Sequence, residues 1–247
     1  AEEFAKNNDI KFVAVNSHDE YLSLLTYSDT DNSSYKSAID ELSQLGIING
    51  FEDGTFKPQD NVTRAQAATM FATALGYSDT KYQNIATDKA VFSDFLMSHW
   101  AYKYADYVMK SADISSGETN CILNGFEDGT FRPDNNVTII QLLKMAICSL
   151  GEDGYMAEAV ENGGYPNGYN TVAEKYGFSK GIAVDAINQP ATREQTAQII
   201  SNTINMPIKR FGAINSITAD HKTESEKFLV TYDGSKEYYP LTTLKTM

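Results

Sequence analysis

The segment Asn49-Gly50-Phe51-Glu52-Asp53-Gly54-Thr55-Phe56-Lys57-Pro58 returns as Asn124-Gly125-Phe126-Glu127-Asp128-Gly129-Thr130-Phe131-Arg132-Pro133. The match runs on through Asn61-Val62-Thr63 and Asn136-Val137-Thr138, so that 12 of 15 positions are identical at an offset of 75 residues. This duplication constrains the fold more than any other feature of the chain. Short repeated units cannot each bury a core, and they become stable only by packing their apolar faces on one another. A third copy is fainter. Thr63-Arg64-Ala65-Gln66 reappears as Thr192-Arg193-Glu194-Gln195, while the loop before it has drifted to Gly181-Ile182-Ala183-Val184-Asp185. Tyr27-Ser28-Asp29 and Phe92-Ser93-Asp94 mark the starts of the first two copies.

Each copy reads as helix, loop, helix. The first helices are expected over Tyr35 to Leu45, about Trp100 to Ala112, and about Tyr169 to Tyr176. Gly46 and Gly177 stand where a helix stops on a left-handed residue. In the loops, Asp53-Gly54 and Asp128-Gly129 supply the turns, with each aspartate bonding its own backbone, and Pro58 and Pro133 delay the next helix. The second helices open on three capping boxes, Thr63-x-x-Gln66, Thr138-x-x-Gln141 and Thr192-x-x-Gln195. Apolar or small residues follow at i, i+3, i+4, i+7 and i+8: Ala67, Met70, Phe71, Ala74 and Leu75 in copy one, with counterparts in the other two. The expected fold is mainly α, a pseudo-threefold bundle of three helix-loop-helix repeats, followed by a small β-rich segment.

The division is an N-terminal lead (1–26), repeat one (27–76), an extended linker (77–91), repeat two (92–151), a second linker with repeat three (152–207), and a β-rich segment (208–247). In this last segment 213–218, 228–232 and 238–244 look extended, with Asp233-Gly234 as a hairpin turn signal. The segment is either the start of a further module or a sheet packed on the helices.

Composition narrows function by exclusion. Thirty-three acidic against 20 basic residues give a formal charge of -13. That disfavours sequence-independent nucleic-acid binding and docking on an anionic membrane surface. No apolar run reaches the roughly 18 residues of a membrane span. His18, His99 and His221 have no metal-ligand spacing, and two cysteines make no disulfide framework. Cys121 and Cys148 are either a disulfide or two buried thiols. Asn49 to Gly54 places Gly where a calcium loop needs it, but Phe51 at its third position cannot ligate, so a structural turn is favoured. The adjacent pairs Glu52-Asp53 and Glu127-Asp128 are read as solvated loop acids rather than a glycosidase pair. No nucleophile elbow, phosphate loop or dinucleotide fingerprint occurs. No metal, cofactor or enzymatic activity is expected.

The combination Phe92-Ser93-Asp94, Trp100-Ala101, Gly46-Ile47-Ile48-Asn49-Gly50-Phe51, Asp53-Gly54-Thr55-Phe56-Lys57-Pro58 and Val62-Thr63-Arg64-Ala65-Gln66 resembles the S-layer homology module, over about residues 27 to 206. Copy one is a strong match, copy two a strong one except at its cap, and copy three a weak one except at its cap. The resemblance implies a secreted protein of the bacterial cell wall or surface layer, with three modules forming a pseudo-threefold trimer. It implies non-covalent anchoring through grooves between modules that bind an anionic, pyruvylated secondary cell-wall polysaccharide. The alternative is self-assembly, with the degenerate copies making protein contacts to other copies of the chain in a lattice or filament.

The residues the resemblance assigns to the polysaccharide are Arg64, Arg193, Thr63, Thr192, Gly50, Gly125 and Trp100, with Asp53, Gly54, Asp128 and Gly129 structuring the loops. Physical chemistry singles out the two arginines independently. Each sits at the first position of its helix, where the dipole disfavours a cation by about 0.3–1 kcal/mol. With free amides beside it, a guanidinium fork there suits a carboxylate. The competing reading is a bridge from each arginine to a neighbouring repeat's aspartate or loop carbonyls. Ile139 replaces the arginine in copy two, so at most two grooves look complete. Trp100 is either a sugar platform or a core anchor between lobes.

Overall fold

Each Thr-x-x-Gln signature starts a helix, and the three starts build the centre of the molecule. The computed structural model describes residues 27–84, 86, 90–111, 122–206, 216–220, 227–232 and 235–240. The lead segment, residues 112–120 and Cys121 lie outside the described residues. The helices are α1 (Lys36–Gln44), α2 (Arg64–Ala74), α3 (Asp79–Gln83), α4 (Tyr102–Ser111), α5 (Ile139–Cys148), α6 (Ala157–Glu161), α7 (Asn167–Tyr176) and α8 (Arg193–Ile204). All three capping boxes are closed in both directions. For α2, the Gln66 amide donates to Thr63 Oγ1 at 3.2 Å and the Thr63 amide donates to Gln66 Oε1 at 2.9 Å. Thr138 with Gln141 and Thr192 with Gln195 repeat the arrangement.

Immediately before each cap, one residue joins a closed triangle of backbone hydrogen bonds. Val62 N–H donates to Ala191 at 3.0 Å, Ala191 N–H to Val137 at 2.9 Å, and Val137 N–H to Val62 at 2.9 Å. Bridges Asn61–Thr192, Thr63–Asn136 and Thr138–Pro190 flank the triangle. The triangle uses only main-chain groups, so it tolerates sequence drift between copies, and it satisfies donors and acceptors that would be costly to bury unpaired. It defines the pseudo-threefold axis.

The helices of one copy do not pair mainly with each other. The second helix of each copy packs on the first helix of the next: α2 on α4, α5 on α7, and α8 back on α1. Helix α8 also packs on α5 and α2, closing one shared core. Phe56, Phe71, Phe95, Phe131 and Phe178 are fully buried in it. Helix α5 buries eight residues, from Ile139 to Cys148, and so goes beyond the half-buried stripe its spacing suggests.

Two segments differ from the sequence expectation. Residues 77–91, read as extended, carry α3, capped by Ser78, whose side chain accepts from the Lys81 amide. Tyr77 packs here against Tyr104 and Tyr107 of α4, which gives this stretch an aromatic anchor that apolar counting overlooks. Residues 152–168 carry a π-helical turn (Glu152–Met156) and α6, with Tyr155 and Ala159 buried. Helix α7 starts at Asn167, before the expected Tyr169, and stops as expected on Gly177 at φ 90°. Beyond the bundle, β1 (Ser216–Asp220), β2 (Lys227–Tyr232) and β3 (Ser235–Pro240) form an antiparallel sheet in the order β1-β2-β3. Thr218 pairs with Leu229, and Tyr232 pairs with Ser235 across the position of the Asp233-Gly234 turn signal. That dipeptide itself lies outside the described residues.

Candidate functional site: the grooves between repeats

Each groove forms where the cap of one second helix meets the loop of another copy. The first two amides of every cap helix are occupied there. Arg64 N–H donates to Asn135 at 2.9 Å and Ala65 N–H to Pro133 at 3.0 Å. Ile139 and Ile140 donate to Gln189 and Ile187, and Arg193 and Glu194 to Asp60 and Pro58. With the third amide held by the cap threonine, the helix starts have no free amides to offer an anion. That departs from the sequence expectation, because the acceptors come from a distant copy and leave no local trace.

The two arginines are anchored in the same way. Arg64 Nε donates to the Phe131 carbonyl at 2.7 Å and Nη2 to Asn124 at 2.8 Å. Arg193 Nε donates to Phe56 at 2.8 Å and Nη2 to Asn49 at 3.0 Å. Each guanidinium also lies over two loop rings, Phe126 and Phe131 for Arg64, Phe51 and Phe56 for Arg193. Both side chains are over nine-tenths buried, at 8% and 6% exposure. Burial pushes the Arg64 pKa down to about 10, with nearby Arg132 adding to the effect, and burial lowers that of Arg193 as well. Arg64 stays charged at neutral pH. The bridge to loop carbonyls, one of the two readings of these arginines, is thus present in the structure. It explains why a cation is tolerated at the positive end of a helix: charge-assisted bonds to carbonyls contribute about 1.5–3 kcal/mol each, more than the dipole costs.

The loops that receive the arginines are rigidly made. Asp53 Oδ1 accepts from the Thr55 amide at 3.0 Å, and Asp128 Oδ1 from Thr130 at 3.1 Å. The Thr130 hydroxyl and Arg132 guanidinium hold the Asp128 pKa down to about 2, and the Thr55 hydroxyl lowers that of Asp53. Gly54 and Gly129 have φ of 77° and 76°, as the turn requires. Asp29 clamps the Phe56 and Lys57 amides at 2.8 Å each, and Asp94 the Phe131 and Arg132 amides. That clamp accounts for the left-handed φ of 56° at Lys57 and 55° at Arg132, which non-glycine residues rarely adopt. Gly50 and Gly125 have a steric reason to be glycine. A Cβ there would sit 2.2 Å from a ring carbon of Tyr27 or Phe92.

The Arg64 groove contains a cavity of about 190 Å³, lined among others by Arg64, Asn124, Phe126, Gln141, Lys144 and Tyr165. Lys144 Nζ stands 6.0 Å from the centre of the half-exposed Tyr165 ring. Sequence reasoning missed Lys144, Gln141 and Tyr165 as groove residues. Aligning the copies puts Lys144 against Thr69, a signal that could have exposed the first; Tyr165, in a segment read as linker, had none. The third groove differs. Ile139 is fully buried at the cap, and the Tyr35 hydroxyl donates to the Gly181 carbonyl at 3.0 Å across it.

Trp100 is not a core anchor. It is 57% exposed and tilted against His99, and Val91, Leu96 and Met97 of the same segment are exposed too. Thr63 and Thr192 serve as caps, their side chains accepting from Gln66 and Gln195. Cys148 is buried with its sulfur 3.8 Å from the Tyr169 hydroxyl. Among the described residues no cluster of three or more His, Cys, Asp or Glu could hold a metal ion, and no helix is long and apolar enough to cross a membrane.

Comparison with known proteins locates this architecture. The chain is 40% identical over 91 residues to Cell surface glycoprotein 1 of Acetivibrio thermocellus, covering 37% of this chain and 3% of that protein. It is 36% identical over 92 residues to the Cellulosome-anchoring protein of the same organism, covering 37% and 18%. A Cell surface protein of Thermoanaerobacter kivui matches at 26% over 181 residues, 73% of this chain and 21% of its own length. The chain thus spans about a fifth or less of each of these relatives. The S-layer homology domain itself matches the chain twice, over residues 26–68 and 91–138, which contain the start signals, loops and caps of the first two repeats.

Proposed function

We propose that this chain is the wall-anchoring part of a larger, secreted bacterial surface protein, held non-covalently by an anionic cell-wall polysaccharide in its inter-repeat grooves. Repeat three serves as a degenerate third module that completes the ring. The observation that carries this reading is the Arg64 cavity. It is an open recess with two cations and an aromatic face on a chain whose net charge is -13. Screening beyond about 8 Å lets that local charge outweigh the distant acidic surface. The names of several relatives, among them a cellulosome-anchoring protein and cell-surface proteins, support a role in attachment. A carboxylate such as a pyruvate ketal on a sugar fits the recess in charge and size. Arg64 and Arg193 contribute to the grooves chiefly by holding the loops in register, and Gly50 and Gly125 by letting those loops close.

Co-sedimentation tests the reading. The protein is expected to pellet with wall sacculi that retain their polysaccharide and to stay in solution once hydrofluoric acid has stripped it. Equal pelleting with stripped sacculi would refute it. A second reading, contact between copies of the chain, is favoured by the exposed apolar side chains of Val91, Leu96, Met97 and Trp100 within one ten-residue segment. Concentration-dependent assembly without polysaccharide, lost in Leu96→Ser with Trp100→Ser, would support that one.

A further inference from the structure

The two arginine-bearing grooves share backbone geometry and the same pair of guanidinium bonds. They differ in charge at matched positions. Lys144 in the Arg64 groove is replaced by Thr69 in the Arg193 groove. At the second cap position Ala65 is replaced by Glu194, whose carboxylate is over nine-tenths buried and accepts from Ser33 and Gln59 at 2.6 Å each. The cap amide acceptor is Asn135 in one and Asp60 in the other. Asp134 against Gln59 runs the opposite way, leaving the Arg193 groove two charges more negative at these four positions. Of these positions Asp60 acts on the Arg193 guanidinium, together with Tyr27 and Asp29, whereas Arg64 has Arg132, Asp94 and Tyr165 about it.

The aromatic partner differs as well. Tyr165 precedes α7, which packs on α5 beside Lys144, and it lines the cavity. Trp100 precedes α4, which packs on α2, and is exposed, as are Leu96 and Met97 shortly before it in the chain. From these contrasts, and resting on the wall-polysaccharide reading above, we infer a division of labour. Only the Arg64 groove takes the acidic unit of the saccharide, with the Lys144 ammonium as its carboxylate contact and Tyr165 as the face against the sugar ring. Arg64 is the positioning residue, since its Nε and Nη2 are already given to Phe131 and Asn124. The Arg193 groove is left with neutral sugar.

The test uses purified wall polysaccharide in two forms, native and with its carboxylates reduced to alcohols, titrated calorimetrically against the wild-type chain, Lys144→Gln and Lys144→Arg. Loss of one charge-assisted contact lowers affinity by about ten-fold or more. Lys144→Gln is expected to show that loss for the native polymer and none for the reduced one, with a cooperative urea transition retained. Lys144→Arg is expected to recover most of the affinity. Lys144→Gln binding native polymer as tightly as wild type would overturn the assignment while leaving wall anchoring intact. A wild-type chain that binds neither form would instead bring down the anchoring reading, and this inference with it.

Discussion

The junction at Arg64 and the junction at Ile139 occupy equivalent places around the same axis, yet they are joined by different chemistry. Both keep the backbone triangle of Val62, Val137 and Ala191, and both give their first two helix amides to another copy's loop. At Arg64 a buried guanidinium then fastens two loop carbonyls and two rings. At Ile139 an aliphatic side chain fills the space, and Tyr35 satisfies a loop carbonyl from outside. The main-chain ring is the invariant part. The arginine is an addition suited to the Asn-Gly-Phe loop, whose carbonyls face the cap, and it is dispensable where that loop has drifted.

Breaking the arginine junctions should have the largest effect. Arg64→Ala removes two charge-assisted bonds and leaves the carbonyl of buried Phe131 without its guanidinium partner, so a loss of about 3–5 kcal/mol is expected, and Arg193→Ala should cost a similar amount. Urea denaturation followed by circular dichroism measures this, and a loss below 1 kcal/mol would show that the guanidiniums are not structural. Such variants are poor tests of ligand contact, because reduced binding would follow from a loosened loop. Ile139→Ala sharpens the comparison: it creates a cavity without orphaning a polar group and is expected to cost about 2–4 kcal/mol. A loss larger than that of Arg64→Ala would reverse the ranking of the two junctions.

Smaller effects test the loops. Gly125→Ala forces a Cβ onto Phe92 and the Thr130 carbonyl, with an expected cost of about 1–3 kcal/mol, and Gly50→Ala meets Tyr27 in the same way. The smallest effect is a pH dependence. Asp128 has its pKa depressed to about 2, so its stabilising contribution is complete above the ordinary carboxylate value of about 4 and vanishes as pH falls through 2. Asp128 holds Arg132 at 2.8 Å, whereas Asp53 lies 3.6 Å from Lys57. Carboxyl NMR titration is expected to find Asp128 the more depressed of the two.

The parts of this fold written locally were legible in the sequence. A capping box involves residues three apart, so Thr63, Thr138 and Thr192 announced their helices. The Asp-Gly turns did the same for the loops. The role of Arg64 was not legible to the same degree, because its acceptors lie 60 and 67 residues away. A misplaced cation marked the position as important, but the sequence left open whether the cation serves a ligand or a neighbouring loop. Pairing of helices across copies escaped for the same reason, since a stripe shows that a face is buried and not what covers it. Helices α3 and α6, five residues each, have too few turns to show a periodicity. Tyr165 and Lys144 became visible as a site only once the repeats closed into a ring.

Chemical-shift mapping tests the central claim most directly. Isotope-labelled protein titrated with purified wall polysaccharide should show saturable shifts centred on Asn124 to Phe126, Lys144 and Tyr165, with little change from Gly181 to Gln189 in the third groove. Shifts confined to the segment from Leu96 to Trp100, or spread equally over all three grooves, would contradict the account.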